Sequence, residues 1–485
     1  MDFDFSQAEK DFDRLRLKYS EGIKGCTPGV LTGSALISKL TSLPSKPRDA
    51  VSKIVDYLHT EDYPVKVCAL YGLRRTGKTT AMLQAILVHG DVEKCAYIHC
   101  TGATSTSSLF NDLCILREAG IQYVFIDEIT SVDGILDEGS MLSDIFASKD
   151  FHLVISGSYS LSIRLAEAGV FLDRLVLINT TNILYDEYKR LFPNATLDSF
   201  LRHGSILSPD YFEYPENIRS YMSSAYADNI EHSIKACDLP CSLYPALANY
   251  LWMPNSGKSL VHYAINKYVT SHVLEMYRKQ FRSADLSNAL NNNMSKEELS
   301  KVVKVSINEA LRKHFDIETP SKELNEAVIN DLNKCLRDIG VFGDIDTVID
   351  GERFTKACLL FTSPRYQLLR VVIDELIAQG IDNTVATKTL ENTMFGLLTE
   401  DYILYHCARK GYTVFHLDDN LAGHSYDMVE VTVDGLVAYE IKHSSQTPID
   451  ALKHLTNFEW QLQVEKQFGK PIIDKCCLYN GPFKI

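Results

Sequence analysis

The amino-acid sequence predicts an α/β protein that combines a helix-covered parallel sheet with a second α/β domain at the C-terminal end. Short apolar runs alternate with helix-like segments between residues 65 and 182. The order helix, strand, strand, strand, helix, strand follows between about 380 and 485. Continuous apolar runs separated by helices are typical of parallel sheets that are buried on both faces.

Length and composition support a folded multidomain chain. The 485 residues correspond to about three domains of average size. Apolar residues make up 45 % and charged residues 23 %, which is ordinary globular composition. The formal charge of -14 argues against nonspecific coating of nucleic acid, although it leaves room for a local basic groove.

The sequence predicts a cytoplasmic protein that does not enter the membrane. The first residues are charged and lack the apolar core of a signal peptide. The longest stretch without Asp, Glu, Lys or Arg, Leu239 to Gly257, contains three prolines and is no membrane span. The twelve cysteines are scattered without zinc-site spacing, so we expect reduced thiols.

Changes in the pattern of predicted helices and strands along the chain indicate five segments. Helix, helix and β-hairpin is the order of a winged helix-turn-helix, and two β-like runs around Asp350-Gly351-Glu352 supply the hairpin. The segments are an N-terminal helical segment (1–60), a parallel-sheet core (61–182), a helical region that would form a lid (183–290), a winged helix (291–377) and the C-terminal α/β domain (378–485).

Residues 72–79, GLRRTGKT, match the phosphate-binding pattern G-x-x-x-x-G-K-[ST] between a predicted strand and a predicted helix. Backbone N–H groups of such a loop and the following helix N-terminus cradle phosphates. Lys78 is expected to reach the β- and γ-phosphates of ATP and Thr79 to ligate Mg²⁺. A glycine-rich structural turn is the alternative. The candidate nucleotide-contacting residues of this loop are Gly72, Arg75, Thr76, Gly77, Lys78, Thr79 and Thr80.

An acidic strand end supplies the second half of the predicted nucleotide site. Asp127 follows the apolar run 123–126 and is expected to hold Mg²⁺, and Glu128 to polarise the attacking water. An acidic helix cap is the alternative for this pair. Ser158 is either a γ-phosphate contact or a plain N-cap. Arg164 and Arg174 are candidate charge sensors or surface arginines.

A second acidic constellation lies near the C-terminus. Asp427 and, thirteen residues on, Glu440-x-Lys442 have the spacing of the PD-(D/E)xK nuclease core. Residues i and i+2 of a strand share a face, and a hairpin would place Asp427 beside them. Two carboxylates and a lysine could bind Mg²⁺ or Mn²⁺ and activate water for phosphodiester cleavage, with Glu400 as a further ligand. A solvated hairpin with ordinary surface charges is the alternative.

Several short motifs together resemble the AAA-like "archaeal ATPase" group of the STAND/AAA P-loop branch. They are the loop at 72–79, FIDEI at 125–129, SGS at 156–158, LFTSPR at 360–365, GLLTE at 396–400 and YEIK at 439–442. The resemblance spans roughly residues 60 to 480. It implies a DUF4143-type C-terminal region, in which a winged helix and a PD-(D/E)xK nuclease-like domain follow the ATPase. Such a nuclease-like domain has a restriction-endonuclease-like fold. Asp173-Arg174 stands where the family usually has Gly-Arg, and Ser425 where it often has Glu.

These observations predict a multidomain ATPase with Mg-ATP as cofactor. In this interpretation Lys78 neutralises the γ-phosphate, and the hydrolysis cycle is coupled to engagement of DNA or another nucleic acid. Asp427, Glu440 and Lys442 would carry metal-dependent cleavage. The alternative is a nucleotide-dependent switch or scaffold with a catalytically silent nuclease-like domain. Assembly into a homo-oligomer is compatible with either interpretation.

Overall fold

A computed structural model of the chain describes most of its sheets and the helices that cover them. The described residues are 23–44, 46–60, 67–72, 76–132, 134–135, 148, 150–157, 175–180, 183–204, 244–251, 324–338, 341–359, 384–419, 423–444 and 455–479, with the single positions 230, 231, 234, 260, 264, 366 and 370. The chain divides into two compact units, 1–194 with 224–257 and 195–223 with 258–485.

The first unit contains a six-stranded sheet. Its strands are β1 (Val30–Leu31), β2 (Val67–Tyr71), β3 (Cys95–His99), β4 (Tyr123–Asp127), β5 (His152–Gly157) and β6 (Leu175–Asn179). Its described helices are α1 (Gly33–Leu40), α2 (Asp49–Leu58), α3 (Lys78–His89), α4 (Thr106–Glu118), α5 (Tyr185–Leu191) and α7 (Pro245–Leu251).

The strand order is β1-β3-β4-β5-β2-β6, and β2 to β6 are all parallel. The five apolar runs predicted from the sequence are these five strands, which confirms the parallel sheet. Only the two-residue β1, antiparallel to β3, was not predicted. The strand β5 lies between β2, which leads into the phosphate-binding pattern, and β4, which ends in Asp127. The carboxyl ends of these three neighbouring strands therefore meet at one edge, where the predicted nucleotide site lies.

The strands β2 to β5 are buried on both faces of this sheet, as their apolar runs require, whereas the edge strand β6 exposes Leu177. Along β2, Val67 and Ala69 belong to the core that contains the inner face of α4, whereas Cys68 and Leu70 belong to the core that contains α2 and α3. This alternation is the period of two that a strand imposes on its side chains. The sheet is thus a rigid support for the loops at its edge.

Histidine and tyrosine rings gather at the opposite edge, where β4 and β5 begin. The Tyr123 ring lies 4.2 Å from the His89 ring and stacks on His152 at 5.4 Å, with 9° between the latter planes. His59 lies 5.1 Å from His89. Both ring nitrogens of His89 and Nδ1 of His152 are buried without a hydrogen-bond partner. Burial and then the neighbouring histidine lower the pKa of His89 and of His152.

The second unit contains another six-stranded sheet. Its strands are β7 (Phe342–Ile349), β8 (Glu352–Leu359), β9 (Val414–Asp419), β10 (His424–Val431), β11 (Leu436–Lys442) and β12 (Ile472–Tyr479). Its described helices are α6 (Leu197–His203), α8 (Glu326–Asp338), α9 (Thr384–Arg409) and α10 (Phe458–Phe468). The helix, three strands, helix and strand predicted after residue 380 are α9, β9, β10, β11, α10 and β12.

The strand order is β12-β11-β10-β9-β7-β8. Strands β9, β10 and β11 form an antiparallel meander, β12 joins β11 in parallel, and β7 joins β9 in parallel. The hairpin of β7 and β8 is present around Asp350 and Gly351, but it is longer than predicted and extends this sheet. Through β7 the hairpin pairs in parallel with β9, so strands on both sides of the boundary predicted at 377/378 contribute to this sheet. The remainder of the predicted winged helix lies largely outside the described residues.

Two further observations concern the predictions from composition. Each of the ten cysteines within the described ranges is a free thiol. Across the described part of the chain, no helix combines the length and the apolar character that crossing a membrane requires.

Candidate functional site

The described residues of the phosphate-binding pattern, Gly72 and 76–79, lie after the end of β2 and at the start of α3. Gly72 has φ +147° and Gly77 has φ +79°, values that glycine adopts without a Cβ clash. Gly77 is the N-cap of α3 and its side chain is a hydrogen atom, so no side chain caps the first N–H groups of the helix. These donors, together with the positive end of the helix dipole, make an anion-binding position.

Lys78 is the first residue of α3 and its side chain turns back over the loop. Its Nζ donates to the carbonyl oxygen of Gly72 at 3.0 Å, and the residue is only 6 % exposed. A nearly buried ammonium group at the N-terminus of α3 is suited to a polyanionic ligand, because its charge and the positive end of the helix dipole both attract anions. Thr80, in the first turn of the same helix, is half-buried.

Asp127 is the centre of the polar network at this edge. It is fully buried, and its Oδ2 accepts hydrogen bonds from Thr79 Oγ1 and Tyr97 OH, both at 2.7 Å. Its Oδ1 accepts a hydrogen bond from Ser156 Oγ. His99 Nδ1 lies 3.8 Å from Oδ2. The loop residue Thr79 and the strand-end acid Asp127 are thus in direct contact.

Tyr97 is a permanent donor to this carboxylate. Its ring is completely buried, with Lys39 Nζ 4.6 Å from the ring centroid. Burial and then the charge of Asp127 raise the pKa of Tyr97 far above its ordinary value. The hydroxyl therefore keeps its proton, and its hydrogen bond fixes the orientation of the Asp127 carboxylate.

Glu128 adopts a left-handed backbone conformation with φ 56° and ψ 41°. Such a conformation is uncommon for a residue other than glycine and carries a cost of about 1 kcal/mol. The N–H of Glu128 donates to Ser156 Oγ at 3.1 Å, and its carbonyl accepts from Ser131 at 2.9 Å. These two bonds hold the turn that follows β4.

Sequence reasoning missed Tyr97 and Ser156. Tyr97 was not recognised because it occupies an ordinary strand position, two residues before the end of β3, where a tyrosine has no pattern that marks it as part of a site. The signal for Ser156 was present in SGS, but the prediction selected Ser158. Four predicted positions, Arg75, Ser158, Arg164 and Arg174, lie outside the described residues.

A second site forms where β10 and β11 pair. Asp427 and Glu440 are each 6 % exposed. Asp427 Oδ2 accepts a hydrogen bond of 2.7 Å from the N–H of Ile441 across the strand pair. Lys442 Nζ lies 3.2 Å from Asp427 Oδ2 and 2.6 Å from Glu440 Oε1. The structure therefore brings together the three residues that the spacing singled out.

The charges in this second site are strongly coupled. Burial and then repulsion from Asp427 raise the pKa of Glu440 to about 7, although Lys442 opposes the shift. Burial alone would lower the pKa of Lys442, but the carboxylates Asp427 and Glu440 outweigh it and raise that pKa. Lys442 is therefore a cation that holds two acids together in a largely buried position.

One buried atom in this site is left without a partner. Glu440 Oε2 is inaccessible to solvent and accepts no hydrogen bond. Such an atom is costly unless a donor or a cation reaches it. Glu400 also raises the pKa of Glu440. Among the described residues, however, no group of three or more His, Cys, Asp and Glu side chains is arranged to hold a metal ion.

A neighbouring polar contact was not anticipated. His443, which follows Lys442, places Nε2 2.8 Å from Asp198 Oδ1 in the first turn of α6. The His443 ring stacks on Phe395 of α9 at 4.9 Å, with 14° between the planes. Asp198 is 245 positions away in sequence, so no local pattern could have indicated this contact.

Comparison with known proteins agrees with the first site. Residues 65–189 match the family described as AAA domain. No curated protein sequence matches the chain. The crystal structure of Cdc6p from Pyrobaculum aerophilum aligns with 12 % identity over 70 % of this chain and 98 % of that chain, with a TM-score of 0.27. That likeness supports no argument about fold or function. The family match and the geometry around Lys78 and Asp127 together support an AAA-like P-loop ATPase domain within residues 65–189.

Proposed function

We propose that the first site binds and hydrolyses ATP with Mg²⁺. The contact between Thr79 and Asp127 beside the buried ammonium of Lys78 carries this proposal, because it joins the two halves of a nucleotide site. Lys78 offsets phosphate charge, and the N–H groups at the start of α3 bind the phosphate oxygens. Gly72, Arg75, Thr76, Gly77 and Thr80 complete the loop, and Ser158 and Arg174 are assigned to the γ-phosphate.

The donor set fits Mg²⁺. Thr79 and Asp127 offer a hydroxyl and a carboxylate 2.7 Å apart, and hard oxygen donors of this kind suit the ion. When bound, Mg²⁺ would neutralise charge on the phosphates. Tyr97 and Ser156 hold the Asp127 carboxylate in place, and Glu128 accepts a proton from the attacking water.

Two substitutions test this assignment. Lys78→Ala should weaken ATP binding and lower turnover by about 100-fold or more, because a preorganised charge on the phosphates is lost. Glu128→Gln keeps the shape of the side chain and should retain ATP binding while hydrolysis falls by a factor on the order of 100 to 10,000. Lys94→Ala is the matched control, since that lysine pairs with Asp91 at the surface. Normal turnover in both site variants would refute the proposal.

For the second site we propose metal-dependent cleavage of phosphodiester bonds in DNA or another nucleic acid. The unpartnered oxygen of Glu440 carries this proposal, because it faces no donor while Asp427 and Lys442 lie within contact distance. Asp427 and Glu440 would hold Mg²⁺ or Mn²⁺, which supplies an activated water and stabilises negative charge. Lys442 is near enough to both acids to stabilise charge on a scissile phosphate.

Lys442 also has a consequence for metal binding. Its ammonium already neutralises part of the charge on the two carboxylates, so a dication must share or displace it. Lys442→Met should therefore bind Mn²⁺ at least as tightly as the natural chain while any cleavage stops. Asp427→Asn should lose Mn²⁺ binding, because one carboxylate alone makes a poor site for a hard dication.

The experiment combines binding with cleavage in the full-length protein. Mn²⁺ should raise the melting temperature of the natural chain and of Lys442→Met but not of Asp427→Asn. Cleavage of single- and double-stranded DNA and RNA, with ATP present, should require all three side chains. Asp434→Asn, in the β10–β11 turn, is the control. No Mn²⁺ effect and no cleavage in any variant would support the alternative, a nucleotide-dependent switch with a silent C-terminal domain.

A further inference from the structure

A buried arginine from the segment between β1 and β2 contacts the phosphate-binding loop. Arg48 is the N-cap residue of α2 and is 4 % exposed. Its Nε and Nη2 donate to the two carboxylate oxygens of Glu187 at 2.6 and 3.2 Å. Glu187 lies on α5 and is equally buried. The planar guanidinium and the carboxylate form a two-pronged ion pair, a geometry that lysine cannot reproduce.

The remaining nitrogen of Arg48 binds backbone rather than side chains. Its Nη1 donates to the carbonyl of Thr76 in the loop and, at 3.1 Å, to the carbonyl of Thr180 just after β6. The hydroxyls of Thr76 and Thr180 lie 3.1 Å apart. Glu187 additionally accepts the N–H of Asp49 at 2.9 Å. One guanidinium thus connects α2, α5, the end of β6 and the loop.

The contact with Thr76 determines which way the next N–H points. A trans peptide is planar, so the carbonyl of Thr76 and the N–H of Gly77 point in opposite directions. Because the carbonyl of Thr76 faces Arg48, the N–H of Gly77 faces away from Arg48. Loops of this type bind phosphate through such inward N–H groups. Gly77, with φ +79°, permits the peptide orientation that this arrangement needs.

We propose that Arg48, oriented by Glu187, is a positioning residue that presents the Gly77 N–H to the phosphates of the nucleotide. This inference rests on the proposed nucleotide binding at the loop. Arg48 itself does not touch the ligand. It fixes the peptide between Thr76 and Gly77 before the ligand arrives, so the loop need not reorganise on binding.

The test compares a ligand with phosphates and one without. Affinities for ADP and adenosine are measured by competition, together with melting temperatures. Arg48→Lys keeps the positive charge but cannot bind Glu187 and both carbonyls together. We expect about tenfold weaker ADP binding and unchanged adenosine binding, since a hydrogen bond to a charged group is lost from the loop support. A general loss of structure would weaken both ligands alike and would overturn the inference.

Two further variants keep the test decisive. Arg48→Met combined with Glu187→Met removes both charges and leaves none unpaired, and it should show the same selective loss of ADP. Arg190→Lys is the matched control, because Arg190 is also on α5 and pairs with Asp49 at the surface. An unchanged ADP-to-adenosine ratio in both Arg48 variants would overturn the inference. Failure of the natural chain to bind ADP would instead remove the proposed function.

Discussion

Acid should destabilise the first unit through the ring cluster at the amino ends of β4 and β5. His89 and His152 have lowered pKa values in the folded protein, against an ordinary value of 6.5. Protonation would place new N–H donors on ring nitrogens that have no acceptor within reach. The charged neighbours are mixed: Asp91 and Asp150 favour protonation, whereas His59 and Lys94 oppose it. Tyr57 and Tyr123 supply the remaining ring contacts.

The direction and size of the effect follow from proton linkage. Below an ordinary pKa of 6.5 and above the lowered folded value, the unfolded chain binds more protons than the folded chain. The free energy of unfolding then falls with decreasing pH, by at most about 1.4 kcal/mol per pH unit for each histidine. Two histidines give a limit of roughly 2.7 kcal/mol per unit. Above pH 6.5 their contribution is fully present and constant.

Urea unfolding between pH 8 and pH 5 measures this slope. The double variant His89→Phe with His152→Phe keeps the ring packing and removes both titrations, so its slope below pH 6.5 should be shallower. Hydrogen exchange of residues 123–127 and 152–157 would locate the effect. If the natural chain and the double variant lose stability in parallel, the loss in acid does not come from protonation of these two histidines.

Two substitutions probe other contacts. Tyr97→Phe removes a hydrogen bond to the buried Asp127 carboxylate and should lower the free energy of unfolding in urea by about 1.5–3 kcal/mol. It should also raise the Mg²⁺ concentration needed for ATP turnover. Unchanged stability and Mg²⁺ dependence would contradict this role. Gly435→Ala would place a Cβ 2.5 Å from the carbonyl oxygen of Pro471, so the β11–β12 pairing must shift. We expect a loss of about 1–3 kcal/mol in the second unit, and an unaltered melting temperature would show that this turn adapts freely.

The first sheet was largely predictable because its information is local. A strand buried on both faces needs an unbroken apolar run, and each of β2 to β6 contains such a run of three to five residues. The phosphate-binding pattern is equally local, since eight consecutive residues define it. Asp427, Glu440 and Lys442 were found because a hairpin brings residues thirteen apart into register.

Interactions between distant segments could not be predicted in the same way. The β7–β8 hairpin was recognised, but its parallel pairing with β9 joins residues such as Thr347 and His416. Nothing within either strand specifies that partner. Arg48 and Glu187 are 139 positions apart, and each has the appearance of an ordinary surface charge in the sequence. Buried ion pairs of this kind are recognised only when burial and partner are known together.

The left-handed backbone at Glu128 sets folding and catalysis against each other at one position. Glycine would adopt φ 56° and ψ 41° without the steric penalty that a side chain brings. Glu128→Gly should therefore be neutral or favourable for the fold even though it deletes the proposed catalytic base. A laboratory selection for heat resistance alone would consequently enrich inactive chains at this position. Any programme to stabilise the protein must screen turnover alongside melting temperature.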